Sequence, residues 1–242
     1  MEYSENTRVK IPALVHLTRL GYKYLSLKEE KQFIHENTNI FRNVFNNSIN
    51  KINNIDLSIE ETDKIIEELE ILLSNDDLGK AFYNILLNGF NGIKLIDFED
   101  ENNNYFNMVT ELTYKNGEEE FRPDIILLLN GMPLSFIEVK KPNNREGILA
   151  ERKRILTRFQ NKKFKKFVNL TQILVFSNNN EYDEESIVPI QGAFYATSSY
   201  EKIFFNCFRE EDTLISQKIK EIDEDDENKI LIDTNYVSIK GT

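Results

Sequence analysis

The chain has one cysteine among its 242 residues, so no intrachain disulfide can form. That fits a reducing compartment and argues against a small secreted scaffold held by disulfides. The opening MEYSENTRVK has no apolar core of the kind a secretory signal needs. No stretch approaches the ~20 consecutive apolar residues of a membrane span. A cytoplasmic protein with no membrane partner is therefore expected. No repeat period is visible. The two histidines, His16 and His35, lie in unrelated segments and make no zinc pattern. Gly79-Lys80 looks like the end of a Walker loop, but Ser74 stands where its first glycine belongs and Ala81 where Ser or Thr belongs. No ATP site is expected here. An excess of positive charge is also missing: 30 Lys and Arg face 41 Asp and Glu, a net charge of −11. Taken as an average, that excludes a nucleic-acid binder.

What is present fits one large domain or two small ones, long enough to bury a substantial core. Asparagine is abundant, with 29 residues, and runs such as Asn102-Asn103-Asn104 read as solvated turns. Val9, Leu14, Leu17 and Leu20 share mainly helical spacing, and Gly21 suits a helix stop. Residues 57–73 form an amphipathic pattern that Asp56 or Ser58 can cap, and 77–88 predict a second helix ending before Gly89. Strands are expected at 106–114, 124–129, 134–139 and 172–177, with a basic helical stretch before the last. Interspersed helices and strands indicate an α/β or α+β domain. The acidic run EIDEDDE at 221–227 reads as solvated surface or linker.

Residues 122–142, RPDIILLLNGMPLSFIEVKKP, carry the chemistry. Two apolar runs flank Asn130-Gly131-Met132-Pro133, which predicts a β-hairpin. Folding about position 131 pairs residue i with 262 − i and sets Asp124 opposite Glu138. Directly opposed Cβ atoms lie ~4.5–5.5 Å apart. Glu138 and Lys140 share one face, and Ile137 and Val139 point to the other. Two carboxylates so close raise each other's pKa and need a countercharge. Mg²⁺, which takes oxygen ligands and keeps several waters, supplies one and can activate a water toward a phosphodiester. Lys140 can stabilise the developing negative charge. The bland alternative is an exposed Glu138–Lys140 ion pair. It is weakened by the apolar runs from which these residues emerge.

The charge is also unevenly spread. Residues 140–166 hold eleven Lys and Arg against Glu146 and Glu151, a balance of +9, which leaves −20 on the other 215 residues. Lys141, Arg145, Arg152, Arg154, Arg158, Lys162, Lys163, Lys165 and Lys166 are thus expected to form a phosphate-binding face. No base-reading motif accompanies them, so contacts to the DNA backbone without sequence readout are expected.

Pro123-Asp124…Glu138-Val139-Lys140 resembles the PD-(D/E)XK nuclease motif. The fuller string RPDIILLLNGMPLSFIEVKKPNN is similar to the N-terminal nuclease domain of the R subunit of type I restriction enzymes. The likeness extends to Glu5-x-Thr7-Arg8…Leu14…Gly21-Tyr22, to NLTQILVFSNN at 169–179 and to QGAFYATSSYEKIFF at 191–205. The resemblance implies a restriction-endonuclease-like mixed β-sheet flanked by helices and Mg²⁺-dependent hydrolysis of double-stranded DNA. It implies that Asp124 and Glu138 bind metal, that Lys140 is the motif lysine, and that Glu5 matches an auxiliary metal-binding acid. Gln160 stands where many members have a catalytic Q-x-x-x-Y element, although here Phe164 replaces the tyrosine. Residues 1–242 then make one nuclease domain, with 28–92 a largely helical insertion or subregion, 104–205 the catalytic sheet and basic helix, and 210–242 an acidic segment leading toward an absent motor. Expected partners are the ATP-driven translocase of the same subunit, with ATP used there, and the methyltransferase and specificity subunits. A free-standing repair nuclease and a non-catalytic DNA-binding module are the alternatives.

Overall fold

A computed structural model describes residues 5–141, 147–177, 195–197, 206–207, 213–223 and 229–238. After a π-helical turn at Asn6–Lys10, the elements are α1 (Ile11–Arg19), β1 (Lys23–Tyr24), α2 (Leu27–Glu30), α3 (Arg42–Asn53), α4 (Ile59–Leu72) and α5 (Lys80–Asn88). Then come β2 (Phe106–Thr110), β3 (Tyr114–Asn116), β4 (Glu119–Phe121), β5 (Ile125–Leu129), β6 (Met132–Val139), α6 (Gly147–Phe159), α7 (Lys165–Leu170) and β7 (Ile173–Ser177). β8 (Tyr195–Thr197), β9 (Asn206–Cys207), β10 (Thr213–Asp223) and β11 (Lys229–Ser238) follow. The principal sheet is mixed, in the order β1-β2-β5-β6-β7-β8-β9; β6 runs antiparallel to β5 and parallel to β7. The expected α/β class, a mixed sheet flanked by helices, is what the chain adopts.

Local chemistry explains the elements. Ser58, not Asp56, caps α4: its hydroxyl accepts from the Glu61 N–H, and the Glu61 carboxylate accepts from the Ser58 N–H, a reciprocal capping box. The strand expected at 106–114 stops at Thr110, because Glu111 takes a left-handed φ of 54° and turns the chain into the β3–β4 hairpin. The 224–227 part of the acidic run lies outside the described residues, and 221–223 continue β10, which pairs antiparallel with β11.

The region 28–92 carries α3, α4 and α5 and contributes to the core. Phe45, Ile49, Ile66, Leu69, Phe82 and Leu86 pack with Met132 and Leu134 of β6 and Leu170 of α7. The other face of the sheet near β6 is covered by α1, where Ala13, Leu14 and Leu17 meet Ile125, Ile137 and Val139. α6 contributes Ile155 to a third cluster with Phe136, Phe121 and Phe176. Gly79 has φ +82°, and a Cβ there would lie 2.5 Å from the Asn169 carbonyl oxygen, so its role is close packing against α7.

The hairpin turn is built into this core. Asn130 (φ 52°) and Gly131 (φ 79°) both have positive φ, the combination that favours Asn-Gly in tight hairpins. A Cβ on Gly131 would stand 2.7 Å from the Phe41 oxygen. Asn130 is buried; its amide donates to the Leu95 carbonyl and to Asn104 Oδ1, and its own Oδ1 accepts from the Tyr105 N–H. Asn104 is therefore a structural bridge and not the solvated turn residue expected of the asparagine run.

Candidate active site

The two-residue turn alone pairs Leu129 with Met132 and Leu128 with Pro133. Continued without interruption, that ladder would set Asp124 opposite Ile137. A β-bulge intervenes: Leu127 pairs with Ser135, leaving Leu134 as the extra residue, and the ladder continues as Ile126–Phe136 and Ile125–Ile137. Asp124, one residue before β5, thereby comes opposite Glu138, as the 262 − i rule expects. The turn is one residue tighter than that rule assumes, and the bulge restores the count.

The carboxylates differ sharply in environment. Asp124 is half-buried, and its Oδ2 accepts from the Val139 N–H at 2.8 Å. Glu138 is 3% exposed, and its Oε1 is buried with no hydrogen-bond partner. Desolvation first, then the negative charges of Asp124 and Glu151, push its pKa up to about 8; Lys140 opposes the shift. An acid held in that state invites a cation. The donor set is two carboxylates, hard oxygen ligands that suit Mg²⁺ with waters completing its shell. Among the described residues no group of three or more His, Cys, Asp or Glu side chains stands together as a metal site.

Lys140 extends from the end of β6, where its N–H donates to the Ser177 carbonyl at 2.8 Å. Its ammonium donates to the Val139 carbonyl at 2.8 Å and lies 3.2 Å from Glu151 Oε2. Glu151, on the second turn of α6, is 3% exposed and also accepts from Arg154 Nε at 2.7 Å. The sequence offers no sign that this acid belongs here; it counts there only as one of two negative charges in a basic stretch.

The other expected site residues are dispersed. Glu5 is half-buried at the start of the π-helical turn, which leads into α1 on the sheet face opposite Glu138. From that same turn, Lys10 reaches Glu111 Oε1 at 2.8 Å. Gln160 is exposed and lies one residue beyond α6, nine residues past Glu151, or about 13 Å along the helix. The basic residues divide in two. Lys163 pairs with Glu119 at 3.1 Å, Lys165 with Asp76, and Lys166 with Glu70, so these three tie α7 and its lead-in to neighbouring elements. Arg152 is 7% exposed. Arg154 remains largely exposed, and the Arg158 guanidinium lies 4.5 Å above the Phe121 ring. Lys141 and Lys162 are exposed, and Arg145 lies outside the described residues.

A family model for the N terminus of type I restriction enzyme R proteins matches residues 2–183. Two proteins of Methanocaldococcus jannaschii are similar. The one named type I restriction enzyme MjaIXP endonuclease subunit is 31% identical over 166 residues, covering 59% of this chain and 16% of its own. The one named MjaVIIIP endonuclease subunit is 26% identical over 180 residues, covering 69% of this chain and 17% of its own. The chain thus spans about one sixth of the length of these relatives. With a mixed α/β sheet and an acidic hairpin end inside the matched span, the chain belongs to the type I restriction enzyme R protein family, in its N-terminal region.

Proposed function

We propose that this region is the PD-(D/E)XK nuclease of a type I restriction R protein and hydrolyses phosphodiesters of double-stranded DNA with Mg²⁺. The observation that carries the reading is the buried Glu138 carboxyl, with one oxygen unpartnered and the Asp124 carboxylate beside it. Asp124 and Glu138 would hold the ion. When bound, Mg²⁺ neutralises the pair, polarises a phosphoryl oxygen and makes a bound water more acidic. The chain's own residues do the rest. The Val139 N–H fixes the Asp124 carboxylate. Lys140 presents a positive charge on the same face, placed to stabilise negative charge that develops on the phosphate. Arg154 and Arg158, spaced one turn apart on α6, offer contacts to the DNA backbone without reading bases.

Target recognition then belongs to methyltransferase and specificity subunits, and ATP-driven movement to the remainder of the R protein. The test is cleavage by the full-length R protein in its complex. Asp124→Ala, Glu138→Ala and Lys140→Ala should each abolish DNA cutting while ATP hydrolysis continues. Normal cutting by any of the three would overturn the assignment.

A further inference from the structure

We infer that Glu151 is a positioning residue that holds the Lys140 ammonium in its working direction through a buried charged contact. The inference rests on the nuclease reading above and names a member of that site which its sequence motif does not contain.

A lysine side chain is long and flexible, and fixing it costs rotamer entropy. Lys140 is nevertheless held at two points. Its ammonium donates to the Val139 carbonyl at 2.8 Å and stands 3.2 Å from Glu151 Oε2, with only 18% of the side chain exposed. One hydrogen bond and one ion pair thus fix the ammonium at the end of β6. Glu151 is itself held from the other side by Arg154.

The location of Glu151 argues against a purely structural role. A buried carboxylate is expensive even when paired, and an apolar residue would serve helix packing as well or better. Ile155, one turn further along α6, fills such a position in the core. Glu151 also adds negative charge near Glu138, where it opposes ionisation. A fold that needed only to anchor α6 would not bury a carboxylate whose charge acts on Glu138. Directing the lysine accounts for the placement, because the carboxylate is the group that touches the ammonium.

Two measurements test this. In the full-length protein within its complex, Glu151→Gln keeps the volume and a hydrogen bond to Arg154 but removes the charge. It should lower kcat for DNA cleavage by about ten- to a hundredfold, the equivalent of one charged hydrogen bond, with KM and melting temperature little changed. Glu151→Asp should recover most of the lost kcat. Separately, labelling by a small amine-reactive reagent, read by mass spectrometry, should rise severalfold at Lys140 relative to exposed Lys153 in the Gln variant and not in the Asp variant. Wild-type kcat in Glu151→Gln, equal losses in both variants, or unchanged Lys140 labelling would overturn the inference. If the wild-type complex cut no DNA, the nuclease reading would fail, and labelling would still decide whether Glu151 holds Lys140.

Discussion

Replacing Glu138 by glutamine should stabilise the protein, and increasingly so as pH rises. In the folded chain the Glu138 carboxyl stays protonated up to about pH 8, whereas its unfolded value is 4.5. Between those values the native state holds a proton that the unfolded state has released. Stability falls with pH where the native state binds more protons, so wild type loses stability from about pH 5 to pH 8 and levels off above. At 1.36 kcal/mol per pKa unit the loss is on the order of 3–5 kcal/mol. Glutamine has a similar shape and no titration, so any fixed cost of burying its amide is the same at every pH. The difference in melting temperature between Glu138→Gln and wild type should therefore widen by roughly 10 °C across this range, at about 2–4 °C per kcal/mol for a chain of this size. The assay is thermal unfolding followed by circular dichroism in chelator at several pH values. Adding Mg²⁺ at pH 8 should raise the wild-type midpoint and leave the variant unmoved. A pH-independent difference would refute the claim that Glu138 is held as a desolvated acid.

Two further outcomes follow from the packing. Gly131→Ala should cost about 2 kcal/mol or more in urea unfolding, since alanine is strained at φ 79° and its methyl would meet the Phe41 oxygen; a loss below half that would contradict the buried-turn geometry. Changing Arg154 and Arg158 to serine should flatten the salt dependence of DNA binding, while the four changes Lys162/Lys163/Lys165/Lys166→Ser should affect it less and lower stability, because three of those lysines are tied to acids. A larger salt effect from the lysine set would place the DNA face at α7.

The parts of this molecule legible in the sequence are those set by local chemistry. The capping serine of α4, the Asn-Gly turn and the alternation that parts Glu138 from Ile137 need only near neighbours. The register at Asp124 is legible in outcome but not in mechanism, since a bulge at Leu134 depends on how β6 packs against the helical region and leaves no mark in its apolar run. Glu151 and Gln160 show the converse. Both sit in one basic stretch, and only the crossover from β6 through α6 decides which reaches Lys140. That stretch reads as a single face because charge counts ignore partners. Glu70, Asp76 and Glu119, distant in sequence, neutralise part of it.

The bulged hairpin has a consequence for which sequences can replace this one. The identities of the apolar residues at 125–129 and 132–137 matter chiefly through volume, but their number is fixed by the two ends they join. The turn is anchored under α3 by Asn130 and Gly131, and the acids stand at the far end of the strands. One residue added to β5 would carry Asp124 to the α1 face and leave Glu138 behind. Drift along this hairpin should therefore proceed by exchange of side chains and avoid changes of length, while the same insertion in the exposed 98–102 loop would alter neither carboxylate.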